Sequence, residues 1–551
     1  RLTGWMSLVR LPDPDDEDLF RGYFGEQVAF FFQWAAFYTR MLLPIAVMVS
    51  FTGMLEELVD LPVLDRDVIR LAYTLVIVVW AQWFNTRFQR SCARSSQRWG
   101  MKDYDTTAAI PLSTHRPELD RSRTLLFRKL GVTLTWIAFC LGFVALIVLS
   151  EQRVTPKKRA IVTVIFVKVG SFLWSQIAGK LVGLQNHRTQ GSWNDSLTTL
   201  LSGVKIFCAG FPFLYLAFIV RLDVTCGETL EMAAQEVYCS EKMTNDSEGC
   251  SWPIGVDPMS PNVTAFLDQG SFSWPRGDQE VCISGCFPTR CALIGGRFTC
   301  TTNCWDQLKY NFKTLYISHI ALTIVFLLVP RFQTSVAWHC ERRKAKHMFK
   351  DKGGAGHSTF LQWQAKHHKF AEYSYLSWGG SPPEDFLELA ISFALFTCFS
   401  TLYPVLAIFA FVCHLVEYRL LARRMIFITS RPMPWGAEGI GQWSAVMSFV
   451  SNVAVLVNAG LVLMFYDPVR HWTADKKLVA FVLLEHMLIL LKMLAFHFIA
   501  LVPEDVKCIE VYNTRFSVWL RARSKTKVPE TEQRLPAEVD VGLSVLGSDS
   551  E

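Results

Sequence analysis

The chain has 551 residues, of which 51% are hydrophobic and 19% charged, and its mean hydropathy is positive at +0.24. A soluble protein of this size carries charge on nearer a quarter of its residues, so an ordinary soluble domain is excluded. The net charge of +6 matters less than where the charges sit.

Crossing ~30 Å of hydrocarbon as a helix takes roughly 20 mostly apolar residues at ~1.5 Å each. Ten segments meet that need: 28–54, 68–88, 130–150, 160–183, 202–222, 307–330, 384–401, 402–424, 442–466 and 477–502. The fold class expected is therefore an all-α polytopic membrane protein with ten transmembrane helices. Residues 1–27 read as a cytosolic pre-membrane segment, and because the chain begins at Arg1 rather than Met, further residues are expected upstream.

Five segments fill 28–222. The connection 89–129 carries Arg90, Arg94, Arg98, Lys102, Arg116, Arg121, Arg123, Arg128 and Lys129, which marks it as cytoplasmic, since cytoplasmic loops are enriched in Lys and Arg. By parity the connection 151–159 is then outside, although it holds Arg153, Lys157, Lys158 and Arg159. Lys168 and Lys180 lie on the fourth segment and Lys205 starts the fifth. Lysines lining a pore attract anions; lysines near an interface also snorkel to water. Lys168, about nine residues into its segment, is the best placed for a pathway.

The connection 223–306 contains eight of the fifteen cysteines: Cys226, Cys239, Cys250, Cys282, Cys286, Cys291, Cys300 and Cys304. Asn245 and Asn262 head sequons for N-glycosylation. A dense, even cysteine set beside sequons reads as a disulfide framework in an oxidising compartment. Zinc is the rival reading, because Cys282/Cys286 and Cys300/Cys304 have ligand-like spacing. This loop is expected to be extracellular or lumenal, with pairing left open.

Five more segments fill 307–502. The sixth starts with Lys309 and Lys313, and the connection after it, 331–383, is again basic and cytoplasmic. Its His339, Cys340, His347, His357, His367 and His368 have no tight ligand spacing. The stretch PEDFLELAISF (383–393) then sets Glu384, Asp385 and Glu388 at the threshold of a run free of Asp, Glu, Lys and Arg from Leu389 to Val416, with Glu417 at its far end. Basic connections flank the run, so the chain must cross an even number of times. Those 28 residues are too few for two crossings, whereas 384–424 supplies 41 and turns near Pro404. The arithmetic places Asp385, Glu388 and Glu417 inside the span at similar depth. Carboxylates there are functional candidates. Three acids on two helices suit Ca²⁺, which wants six to eight oxygens; the alternatives are snorkelling or pairing with Arg419 and Arg423.

In the tenth segment Glu485 and Lys492 stand seven apart, too far to pair directly, which suits pairing with another helix or subunit. That pattern also fits an ion- or proton-coupled secondary transporter, although no inverted repeat supports it. No Walker loop, nucleophile elbow or HExxH motif is present, so no enzymatic activity is expected, nor a nucleic-acid partner. Residues 503–525 are expected to form a cytosolic helix and 526–551 an acidic disordered tail.

FRGYFGEQVAFFFQWAAFYTRMLLP (20–44), WFNTRFQRSCARSSQRWG (83–100), LQNHRTQGSWNDSL (184–197), LYLAFI (214–219) and VPEDVKCIEVYNTRF (502–516) resemble stretches of the anoctamins. The resemblance covers 20–515 in register with all ten segments. It implies a homodimer in the plasma membrane or an endomembrane, with both termini cytoplasmic. Each subunit would carry a groove bounded by helices three to seven, acting as an anion (chloride) channel, a phospholipid scramblase or both. It also implies Ca²⁺ between helices six, seven and eight, held by Asp385, Glu388 and Glu417, with Glu384 as a substitute if the register slips by one. The pathway would include Lys168, Lys180, Lys205 and Lys313. The pattern is incomplete. The second acid expected on helix eight falls at Leu421, and the helix-six ligand positions fall at Leu322 and Phe326. The resemblance therefore implies a reduced site with weak Ca²⁺ binding or uncoupled activation.

Overall fold

A computed structural model describes residues 10–14, 16–58, 63–102, 104, 112–120, 122–154, 156–220, 224–226, 234, 238, 265–266, 271–273, 282–294, 297–350, 371–377, 379–466, 469, 472–497 and 499–525. Twelve helices dominate: α1 (Asp16–Phe24), α2 (Glu26–Leu58), α3 (Val63–Arg98), α4 (Arg123–Arg153), α5 (Pro156–Gly183), α6 (Gln190–Leu214, continued by a π turn Tyr215–Ile219), α7 (Cys304–Lys350), α8 (Pro382–Phe399), α9 (Leu406–Phe427), α10 (Gln442–Phe465), α11 (Ala474–His497) and α12 (Glu504–Lys525). Helix is what apolar sequence must form in lipid, where no water satisfies backbone N–H and C=O groups. Eight of these helices are long and apolar enough to cross a membrane. Helices α9 and α11 occupy the eighth and tenth expected segments but hold more charge, Glu417, Arg419, Arg423 and Arg424 on one and Asp475, Lys476, Lys477, Glu485 and Lys492 on the other.

The helix α8 lies at the centre. Its span is 94% buried, and it packs on α10, α6, α2, α7 and α3, as befits a helix apolar on every face. Around it, α2 packs on α9 and α10 on α3 and α11. At the other flank α4, α5 and α7 bury only 17%, 28% and 28% of their spans, so most of their surface is available to lipid or to a pathway. There α5 contacts both α6 and α7.

Several element bounds differ from the hydropathy reading. Helix α6 begins at Gln190, twelve residues before the expected segment, because Thr189 caps it by accepting a bond from the Ser192 N–H at 3.2 Å. The link before it is held by Asn186, whose φ of 57° suits Asn and whose amide bonds both backbone groups of Arg116 at 2.9 Å. Asn186, just before the HRTQ stretch, thus ties one connection to another. Helix α7 runs through Pro330 to Lys350, well past the expected end at 330.

The cysteine-rich loop adds two small three-stranded sheets, ordered β1-β4-β2 (Val224–Cys226, Cys282–Ser284, Ala265–Phe266) and β3-β6-β5 (Ser271–Ser273, Arg297–Thr302, Pro288–Ile294). Disulfides join Cys286 to Cys304 and Cys291 to Cys300. The backbones of Cys226 and Cys282 face each other in register. Cys239, Cys250, Asn245 and Asn262 lie outside the described residues. One of the four basic residues of the 151–159 connection packs against this loop. Arg159 is 1% exposed, donates to the Val154 carbonyl at 2.9 Å and sits 4.4 Å over the Phe287 ring.

Candidate functional site

The hairpin expected at Pro404 is present: α8, a 3-10 turn Ser400–Leu402, then α9. At its base Arg424 Nη2 donates to Asp385 Oδ2 at 2.6 Å, with both side chains buried (8% and 5% exposed). The Tyr373 hydroxyl donates to the same oxygen at 3.3 Å. The approach to α8 closes this base: Ala371 pairs with Thr429, and Thr429 Oγ1 donates to the Gly379 carbonyl. Gly380 (φ 79°) passes so close that a Cβ would lie 2.5 Å from Arg424 Nη2 and 2.9 Å from Asp385 Oδ1, so only glycine serves there. Burial lifts the Tyr373 phenol above its ordinary range, with the Asp385 carboxylate adding to the effect.

Glu384 stays out of the bundle. As the third residue of α8 it accepts from Ser381 Oγ at 2.5 Å and from the Leu376 N–H at 3.2 Å, which completes the helix start.

About one turn above Asp385, Glu388 meets α7, and α5 is joined to the same place through His319. Its Oε2 lies 3.4 Å from Thr323 Oγ1 and 3.7 Å from His319 Nδ1 on α7, and Lys168 Nζ on α5 lies 3.2 Å from the same imidazole nitrogen. One Nδ1 cannot serve both neighbours. With an ammonium donating to it, it acts as acceptor, and the imidazole stands between cation and carboxylate. Across the hairpin, Glu417 Oε2 lies 2.9 Å from His414 Nδ1, and His414 Nε2 bonds Ser392 Oγ at 2.8 Å. A cavity of ≈ 10 Å³ between His319, Thr323, Ser392, Cys413, His414 and Glu417 has room for about one water.

This arrangement does not fit Ca²⁺. Among the described residues no three His, Cys, Asp or Glu side chains are gathered as a metal would need. The chemistry agrees. Ca²⁺ wants six to eight oxygens, whereas Asp385 is engaged by a guanidinium, Glu417 lies against an imidazole, and Glu388 accepts from the Thr323 hydroxyl with His319 and Lys168 beyond it. Asp385, Glu388 and Glu417 therefore do share two helices, as the hairpin requires, but each has its own protein partner. Imidazoles are poor ligands for so hard an ion. The spacing pointed to Arg419 and Arg423 as competitors; the structure gives Asp385 to Arg424, while Arg419 Nη1 lies 3.6 Å from Asp16 Oδ2.

The lysines are distributed along the flank of α5, α6 and α7. Lys309 and Lys313 lie 5.2 and 5.5 Å from the Tyr403 ring at the disulfide-loop end, consistent with cation–π contact. Lys168 is mid-helix, Lys205 is buried on α6 and Lys180 is exposed at the other end of α5. His319 and His414 were not singled out from the sequence; a histidine inside an apolar segment is their only local signal. In α11 Glu485 Oε2 lies 2.6 Å from His486 Nδ1, and the Lys492 side chain lies outside the described residues.

A polytopic helical bundle with a loosely packed flank, a disulfide-tied loop and buried acids on a central hairpin defines an integral membrane protein of the all-helical class. A family model described as "Anoctamin: Calcium-activated chloride channel" matches residues 20–510. The chain belongs to the anoctamin family. It is 23% identical over 527 residues to Anoctamin-7 of Rattus norvegicus (82% of this chain, 53% of the relative). It is 22% identical over 527 residues to Anoctamin-7 of Homo sapiens (82% and 49%), and 21% identical over 531 residues to Anoctamin-9 of Mus musculus (84% and 60%). The chain thus spans about half the length of these curated relatives.

Proposed function

We propose that this chain is a passive pathway for anions, and for phospholipid headgroups along the same surface, formed by the flank of α5, α6 and α7. In this reading both termini are cytoplasmic, two copies assemble with one pathway each, and gating proceeds without Ca²⁺. The observation that carries it is the chain Lys168–His319–Glu388, which spans three helices with steps of 3.2 and 3.7 Å. It supplies a tethered positive charge next to the acid that a metal would neutralise. It also fastens α5 to α7, the two helices that must part for the flank to open. Lysines at several depths along that flank favour anions over cations.

The test is reconstitution of the purified protein in liposomes, with halide flux and lipid scrambling measured in parallel. Transport should be the same with Ca²⁺ chelated as with Ca²⁺ in the micromolar range. Steep activation by micromolar Ca²⁺ that disappears in Glu388→Gln would overturn the reading. Halide flux without loss of lipid probe would restrict it to a channel.

A further inference from the structure

A short strap, residues 371–377, lies between the base of the α8–α9 hairpin and α5. One side of it is pinned to the hairpin. The Ser430 N–H donates to the Ala371 carbonyl at 2.8 Å, the Tyr373 hydroxyl donates to Asp385, and the Leu376 N–H donates to Glu384 at 3.2 Å. The other side rests on Tyr375. Its hydroxyl donates to the Ser175 carbonyl of α5 at 2.6 Å, and its ring stands edge-on to that of Trp193 at the start of α6, centroids 6.2 Å apart. Within α5 that carbonyl faces the N–H four residues on, and its second lone pair is open to the phenol. The ring comes so close that a Cβ on Gly179 would lie 2.9 Å from its Cε1, so a glycine stands where the strap leans on the helix. The next residue, Leu376, takes a φ of 63° with its side chain 45% exposed. Such a backbone is uncommon for a residue with a Cβ, persists only where the surroundings impose it, and clusters at functional positions. Lys168, the other attachment of α5, lies seven residues before Ser175, about 10 Å along the axis. The two attachments therefore act at different heights.

We propose that Tyr375 is a positioning residue that latches the end of α5 remote from the disulfide loop to the α8–α9 hairpin, so that this end moves outward only when the strap releases it. Tyr373, two residues earlier, touches the Asp385–Arg424 pair, so a rearrangement of that pair reaches α5 through the strap. That α5 borders the transport pathway rests on the function proposed above; that Tyr375 fixes its end does not.

The full chain is reconstituted in liposomes with the exposed Cys340 and Cys508 replaced by Ser and spin labels attached through Leu184→Cys and Ile426→Cys, both exposed positions. Pulsed EPR then reads the separation between the ends of α5 and α9, and halide flux is measured on the same vesicles. With Tyr375 in place the distance distribution should be narrow. Tyr375→Phe, which loses one hydrogen bond, should shift it to longer separations and raise flux roughly fivefold; Tyr375→Ala should do more. Because the phenylalanine variant keeps the ring and its packing, it keeps the test decisive should the alanine variant misfold. Gly179→Ala, whose methyl group drives the ring away, should shift the distribution as Tyr375→Ala does. Combined with Tyr375→Ala it should add nothing further, since the ring it displaces is gone; two independent structural lesions would add instead. An unchanged distribution in the Tyr375 variants, or additive effects of Gly179→Ala and Tyr375→Ala, would overturn the proposal. A shifted distribution with unchanged flux would uphold the latch and overturn the pathway reading.

Discussion

Replacing Arg424 with Met would expose the cost of the charge buried beneath the hairpin. The side chains of Arg424 and Asp385 are 8% and 5% exposed and 2.6 Å apart, and removing the guanidinium leaves Asp385 with the Tyr373 hydroxyl at 3.3 Å as its side-chain hydrogen bond among the described residues. Stranding one member of a buried pair costs about 3–5 kcal/mol, whereas replacing both members is often close to neutral. Arg424→Met should therefore lower the melting temperature in detergent by several degrees, and Asp385→Asn/Arg424→Met should recover most of the loss, with a coupling of about 2–3 kcal/mol in the double-mutant cycle. The assay is thermal unfolding followed by fluorescence-detected size exclusion, run with Ca²⁺ and with chelator. If Asp385 is a metal ligand instead, Ca²⁺ will raise the melting temperature of the unmutated protein and Asp385→Asn will remove that gain. A single Arg424→Met variant as stable as the unmutated chain, or a Ca²⁺ shift dependent on Asp385, would refute the reasoning.

Lys168→Met removes the link between α5 and α7, a charge-assisted bond of about 1.5–3 kcal/mol, so basal halide flux in liposomes should rise roughly tenfold or more; unchanged flux would mean that the link does not hold the flank shut. Burial pushes the Glu17 carboxyl up to about 7 despite Arg40 at 3.6 Å. Because its folded value lies above the ordinary one, the fold favours the protonated form, and the stabilisation present below about pH 4.5 is lost as pH rises through 7. Glu17→Gln should thus stabilise the protein at pH 8, by up to about 3 kcal/mol, and change little at pH 5; a stability difference that is flat with pH would refute this. Non-reducing peptide mapping should recover Cys286 linked to Cys304 and Cys291 linked to Cys300, and Cys286→Ser should cost about 2–5 kcal/mol. Gly460→Val should destabilise markedly, since even a Cβ there would lie 2.7 Å from the Phe218 ring; a normal melting temperature would contradict that packing.

The hydrophobic segments and the hairpin were legible because they follow from segment length and parity. Arg424 shows where legibility ends. The spacing suggested Arg419 and Arg423, yet one residue of helix turns a side chain by about 100°, and that turn decides which arginine enters the bundle. An antiparallel pairing rule carried further could have found it: 392 meets 414 and 385 meets 424 across one turn. No local pattern announces Lys168–His319–Glu388, whose members are brought together from three helices by packing alone. The early start of α6 was hidden because QGSWNDS is polar, and hydropathy cannot see a cap. The same blindness ended α7 too soon, since its charged continuation remains helical beyond the apolar stretch.

The length of α7 has a mechanical corollary. Its 47 residues make a rod of about 70 Å, anchored at its first residue by the bond from Cys304 to Cys286. A tilt of about 5° at that anchor displaces the far tip by about 6 Å, with Pro330 as the natural place for the rod to flex. A ligand pressing on the small sheets at one face could thus be felt as movement at the opposite face.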